Sequence, residues 1–190
     1  MHQEIFDPYE AKRYMGITSS KPARVPDHVT DPDAVALWNT VMVSVSSYDK
    51  KILPVPMTVS RSLGDAVQRF MTDSARIQQK FGCAKISAKQ VYESIHMSRP
   101  TWNRITGGQQ IDVERGNVFA IALGLRLDEQ EVQELLYSAG FALNYSLELD
   151  AAIMYFIKKG IYDVEYIYRI LSQFSDIKNG LDCFCFRPCT

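Results

Sequence analysis

The side chains of this 190-residue chain best suited to chemistry are its cations, and they are unevenly placed. Between residues 76 and 110 stand Arg76, Lys80, Lys85, Lys89, Arg99 and Arg104 against the single acid Glu93, a net of +5. From 111 to 150 the sign reverses, with Arg115 and Arg126 against Asp112, Glu114, Asp128, Glu129, Glu131, Glu134, Glu148 and Asp150, a net of −6. The total of −1 excludes a uniformly basic nucleic-acid coat. A local cluster still attracts phosphate if its cations share a face. The pattern predicts a polarised domain, its basic side toward phosphate and its acidic side toward water.

Other chemistries lack a comparable pattern. His2, His28 and His96 are isolated, and none stands at a metal-ligand spacing. Cys183, Cys185 and Cys189 do not form the paired C-x-x-C of common zinc sites, even with Cys83 as a fourth thiol. We read their tail as an apolar strand that docks on the domain or on a partner, so neither metal nor cofactor is expected. Four cysteines are too few and too clustered for a disulfide framework, which fits a reducing cytoplasm. Gly107-Gly108 lacks the Lys-Ser/Thr pair of a phosphate loop and reads as a helix exit. No catalytic triad is apparent, and the chain is not read as an enzyme. No stretch reaches the ~20 apolar residues of a membrane span. Met1-His2-Gln3-Glu4 lacks the features of a signal peptide. A cytoplasmic protein without a membrane partner is therefore expected.

The elements that must position the cations are helices. Residues 1–59, with Pro8, Pro22, Pro26 and Pro32, read as an irregular arm. Within it, 34–47 is a short helix by the spacing of Leu37, Trp38, Val41, Met42 and Val45, or a strand by the β-branched run at 41–45. Residues 60–145 form the main domain. Ser60 caps a helix that reaches Phe81-Gly82, and Ser87 caps a second at 88–96. After a break at Met97-Ser98, Ser98 caps a third helix with Pro100 in its first turn. A fourth spans 113–123 and stops at Gly124; a fifth starts at Asp128 and stops at Gly140. Residues 146–190 add two helices, at 147–159 and 163–174, and the cysteine-containing tail.

Residues 87–136 resemble the helix-turn-helix domain of Cro/phage-repressor-type (Xre-like) regulators. The match lies in Ser98-Arg99-Pro100-Thr101-Trp102-Asn103-Arg104-Ile105-Thr106-Gly107-Gly108-Gln109-Gln110, followed by Phe119-Ala120-Ile121-Ala122-Leu123-Gly124-Leu125 and Asp128-Glu129. The resemblance implies an all-α, lambda-repressor-like bundle in which the helix after the turn enters the major groove of double-stranded DNA. It places Ser98, Arg99, Asn103 and Arg104 toward DNA and Trp102 and Ile105 inward. Arg99 and Arg104 suit guanine, and Asn103 suits adenine or a phosphate. Lys85 and Lys89 would hold phosphates. Three positions depart from the family: Ala88 stands where glutamine is frequent, Tyr92 where a small alanine is usual, and His96 where the turn usually has glycine. Residues 138–163 also look like an extension found on some bacterial helix-turn-helix domains, including copies appended to macro domains. Together the two resemblances cover about 63–171, a little over half the chain.

The functional expectation is a bacterial or phage transcriptional regulator that binds DNA. The alternative is a protein-binding adaptor or inhibitor that reuses the fold, for which the three departures and the unassigned arm speak. A homodimer through 147–174, with Phe184 and Phe186 joining, is expected from the apolar and aromatic load there. The competing arrangement covers that surface with residues 34–55 of the same chain.

Overall fold

In the computed structural model the described residues are Val25, 28–42, 62–107, 113–145 and 147–174. The fold is all-α. The elements are α1 (Pro32–Leu37), which runs into a π-helical turn (Trp38–Met42), then α2 (Leu63–Thr72), α3 (Ser74–Phe81), α4 (Ala88–Ser94), α5 (Arg99–Thr106), α6 (Arg115–Gly124), α7 (Glu129–Ser138), α8 (Glu148–Lys158) and α9 (Val164–Leu171).

The single helix expected at 60–81 is two. Asp73 adopts an extended backbone, with ψ 97°, and its carboxylate accepts the Arg76 amide at 3.1 Å, so it stops α2 and caps α3. The apolar spacing continues through the break and hides it. The cap of α2 is Ser62, whose Oγ accepts the Asp65 amide at 3.1 Å; Ser60 lies outside the described residues. Gly82, at φ 68°, ends α3 as expected.

Helix α6 is the centre of the packing, since every residue from Gly116 to Gly124 is buried. A helix apolar all round has no solvent face and must be surrounded. Helices α4 and α7 pack against it, α2 lies against α5 and α7, and α8 lies against α7 and α9. Helix α6 ends at Gly124, where the sequence predicts its stop, and the left-handed residue is Arg126, at φ 52°, two positions on. A Cβ on Gly124 would lie 2.7 Å from Ile95 Cγ2 and 3.1 Å from Val91 Cγ1, so the glycine is there to admit α4.

One charge pair fixes the start of α6 to α8. Arg115 Nε donates to Asp150 Oδ1 at 2.7 Å, Nη2 donates to Oδ2, and the Asn144 amide donates to Oδ2 at 2.8 Å. Asp150 is fully buried, and burial pushes its carboxyl above the usual range against the pull of Arg115 and the Asn144 amide.

Residues 28–42 form a strap across α8 and α9. Val29, Ala34 and Leu37 are buried in the common core, and Trp38 stacks on Phe174 with ring centroids 5.5 Å apart. Asp31 caps α1 and pairs with Arg169; Tyr166 donates to Asp33 at 2.6 Å, and His28 Nε2 lies 2.9 Å from the Gln173 carbonyl. Burial and the Asp33 carboxylate push the Tyr166 phenol up to about 12. Part of the apolar surface that suggested a dimer is thus covered by residues 28–42 of the same chain, while Leu147 stays exposed. The strand alternative at 41–45 gives way to the π-helical turn as far as Met42, while 43–47, Phe184 and Phe186 lie outside the described residues.

Two outcomes follow from these contacts. Gly124→Ala should lower stability by about 1–3 kcal/mol in urea melts, because the added methyl overpacks the α4 contact; an unchanged or raised midpoint would contradict that approach. Arg115→Ala should cost about 3–5 kcal/mol at pH 8. With Arg115 gone, the folded chain keeps a proton on Asp150 that the unfolded chain loses above about pH 4. Stability of the variant therefore falls as pH rises, and its deficit in thermal midpoint should be smaller at pH 5 than at pH 8.

Candidate nucleic-acid interface

The two short helices α4 and α5 are each capped as the sequence predicts. Ser87 and Gln90 form a reciprocal capping box at α4: Ser87 Oγ accepts the Gln90 amide at 3.2 Å, and Gln90 Oε1 accepts the Ser87 amide at 2.8 Å. Ser98 caps α5 by accepting the Thr101 amide at 3.2 Å, and its hydroxyl also meets Thr101 Oγ1 at 2.8 Å. Ser98 is exposed, yet its hydroxyl is engaged inside the chain. Between the helices, His96 takes the left-handed conformation, φ 51°, that a glycine would hold without strain. The backbone of the turn is therefore the one the position calls for, with a histidine supplying it.

Helix α5 is anchored by two residues. Trp102 and Ile105 are buried, and the Trp102 ring lies 6.2 Å from that of Tyr92. The bulk of Tyr92 is absorbed in this contact. At the exit, a Cβ on Gly107 would come 2.6 Å from the Asn103 carbonyl oxygen, so the helix closes on a residue without one. Residues 108–112 lie outside the described residues.

The outward side of α5 carries Arg99, Asn103 and Arg104, all exposed. None of the three enters an ion pair among the described residues. Lys85 is exposed in the loop before α4, and Lys89 is exposed on α4, 3.6 Å from Glu93 one turn on. A solvated pair of that kind is worth about 0.3–0.5 kcal/mol and leaves Lys89 able to exchange partners.

The expected separation into a basic and an acidic side is corrected by the tertiary contacts. Arg76 is buried: its Nε donates to Glu131, Nη2 to the Leu125 carbonyl, and Nη1 to the Phe70 carbonyl at 3.4 Å. Lys80 lies 3.8 Å from Asp128, Arg69 pairs with Glu134, and Lys158 lies 3.1 Å from Glu129. Asp128 and Glu131 of the acidic segment are thus internal counter-charges of Lys80 and Arg76 in the basic one, while Glu134, Glu129 and Asp150 pair with Arg69, Lys158 and Arg115. Among the described residues Lys85, Lys89, Arg99 and Arg104 face solvent around α4 and α5, and Arg126, Lys158, Lys159 and Arg169 are exposed elsewhere. None of these pairings is signalled by the sequence alone, although the Asp128-x-x-Glu131 spacing could have shown the capping box that holds both acids in place.

Among the described residues no group of histidine, cysteine and acidic side chains is placed to hold a metal ion, and no helix is long and apolar enough to cross a membrane. Cys83 is the one cysteine described; Cys183, Cys185 and Cys189 lie outside. Comparison with family models, curated proteins and solved structures yields no match to this chain.

The two kinds of arginine should separate cleanly. Arg76→Ala is expected to cost about 3–5 kcal/mol, since it leaves Glu131 without its buried partner. Arg99→Ala should stay within about 0.5 kcal/mol of the parent. Denaturant melts of both variants provide the check, and equal losses would contradict the assignment of Arg99 to the free surface.

Proposed function

We infer that this chain is a DNA-binding protein of the lambda-repressor-like, helix-turn-helix kind, with α4 as the positioning helix and α5 as the helix that enters the major groove. The observation that carries this reading is the outward face of α5, where Arg99, Asn103 and Arg104 stand exposed above the buried anchors Trp102 and Ile105. Arginine meets the O6 and N7 of guanine with two parallel donors, and the asparagine amide does the same for the N6 and N7 of adenine. Lys85 and Lys89 flank the approach and hold phosphates, which sets register without reading sequence. A regulator of transcription is the role such a surface serves.

A second reading, a protein-binding adaptor on the same scaffold, draws on the internal pairing of Arg76, Lys80 and Arg69. That pairing leaves a small number of cations for a polyanion. Salt dependence separates the two, because each phosphate contact releases counterions and steepens the fall of affinity with salt.

The test uses duplexes selected from a randomised pool and anisotropy titration of the full chain. Arg99→Ala and Arg104→Ala should each weaken specific binding by about 1–3 kcal/mol, and Lys85→Ala should weaken binding to all duplexes alike and reduce the salt slope by about 1. Unchanged affinity in both arginine variants would sink the DNA reading, and an affinity indifferent to salt would favour the adaptor.

A further inference from the structure

Among the described residues four helices end in the same turn. Met97 N donates to Tyr92 O at 2.8 Å, and Leu127 N to Ala122 O, Phe141 N to Leu136 O and Ile161 N to Phe156 O each at 2.9 Å. In every case the preceding residue is left-handed: His96 at φ 51°, Arg126 at 52°, Gly140 at 82° and Gly160 at 69°. Glycine is the residue this motif favours. Two of the four turns carry large side chains, and each of those side chains reaches another element. Arg126 Nη1 donates to the Lys80 carbonyl at 2.9 Å, with its guanidinium 4.9 Å over the Phe81 ring, both on α3. His96 Nε2 lies 3.0 Å from Glu165 Oε1 in the first turn of α9.

A chain that uses glycine for this turn at two helix ends keeps a strained histidine at a third for what its side chain holds. His96 stands two residues before Ser98, the cap of α5, and Glu165 stands on a helix that the strap holds beside it through Tyr166 and in its last turn through Arg169. We propose that His96 is a positioning residue for α5, and that its contact with Glu165 ties the presentation of the Arg99, Asn103 and Arg104 face to the protonation of the imidazole. The proposal rests on α5 being the nucleic-acid-facing helix.

Histidine gains its charge between about pH 8 and 5. Protonation makes the bond to Glu165 charge-assisted, hence shorter and stronger, and draws the turn toward α9. The imidazole and Glu165 share a groove of about 890 Å³ also lined by Lys80, Cys83, Arg126, Tyr162 and Asp163. These neighbours have other engagements. Lys80 lies 3.8 Å from Asp128, Asp163 caps α9, Tyr162 donates to the Leu127 carbonyl at 3.3 Å, and the Cys83 thiol meets the Lys85 carbonyl at 3.3 Å. On α4 itself, Glu93 and Lys89 face each other at 3.6 Å. Glu165, at 3.0 Å, is in direct contact with the imidazole.

The experiment follows the full chain by NMR from pH 5 to 8, with duplex affinity measured in parallel. The backbone amides of residues 102–106 should shift with the same midpoint as the His96 ring. Both Glu165→Gln and His96→Asn should remove that movement, asparagine being a residue that also tolerates the left-handed turn. Duplex affinity of the parent should rise about two- to five-fold between pH 8 and 6, the range an exposed pair supports, and stay level in both variants. Titration of the ring without movement of the α5 amides overturns the proposal, as does undiminished movement in Glu165→Gln. Coupled amides with no duplex binding at any pH support the positioning role and overturn the nucleic-acid reading alone.

Discussion

The structure depends on a helix that has nowhere to face water. Because α6 is buried from Gly116 to Gly124, every neighbouring helix must present an apolar side to it. The approach of α4 is set by the missing side chain of Gly124, against which Val91 and Ile95 rest. Once α4 is seated, the left-handed turn at His96 leaves α5 little choice of direction, and the burial of Trp102 and Ile105 decides which of its sides is turned out. The exposure of Arg99, Asn103 and Arg104 is therefore the end of a sequence of packing decisions that begins about twenty residues further along the chain.

Around that apolar centre, buried charge fixes geometry. Arg76 binds acceptors on α7, at the end of α6 and at the end of α2, and Arg115 binds Asp150 while its guanidinium lies 5.8 Å over Phe119 and 5.4 Å over Phe141. Such groups add little net stability compared with apolar residues of the same size, because desolvation opposes the attraction. They do penalise alternative packings, since any other arrangement leaves a buried ion without its partner. Helix ends are treated with the same economy: Asp128 and Glu131 satisfy each other's backbone amides while Glu131 also receives Arg76.

What could be read from the sequence was local. Ser87, Ser98 and Asp128 cap the helices they were expected to cap, because an N-cap needs only a short oxygen-bearing side chain beside its own backbone. The break at Asp73 was missed because apolar residues keep helical spacing on both sides of it, although the aspartate is itself a capping residue. The stop at Gly124 was legible but its second role, admitting α4, was not, because glycine signals the same thing in sequence whether it ends a helix or admits a neighbour. The pairing of the basic with the acidic segment, the strap on α8 and α9, and the contact of His96 with Glu165 join residues far apart in the chain, and periodicity has no access to such partners. The exposure of Lys85, Lys89, Ser98, Arg99, Asn103 and Arg104 was legible from their places in and beside the helices; the internal pairing of Arg76 and Lys80, which the charge count groups with the basic segment, was not.

The cancellation of charge between α3 and α7 also has a kinetic side. Opposite charges held a few ångströms apart look neutral from beyond a Debye length, about 8 Å at physiological ionic strength. On the proposed reading of α5, an approaching polyanion would feel little pull from the paired charges of α3 and α7 until it is nearly in contact. Encounter on that reading would proceed at the pace of unsteered docking, about 10⁵–10⁶ M⁻¹ s⁻¹, rather than the 10⁸–10⁹ that a strong long-range field supports. Discrimination among ligands on such a surface resides in how long each one stays.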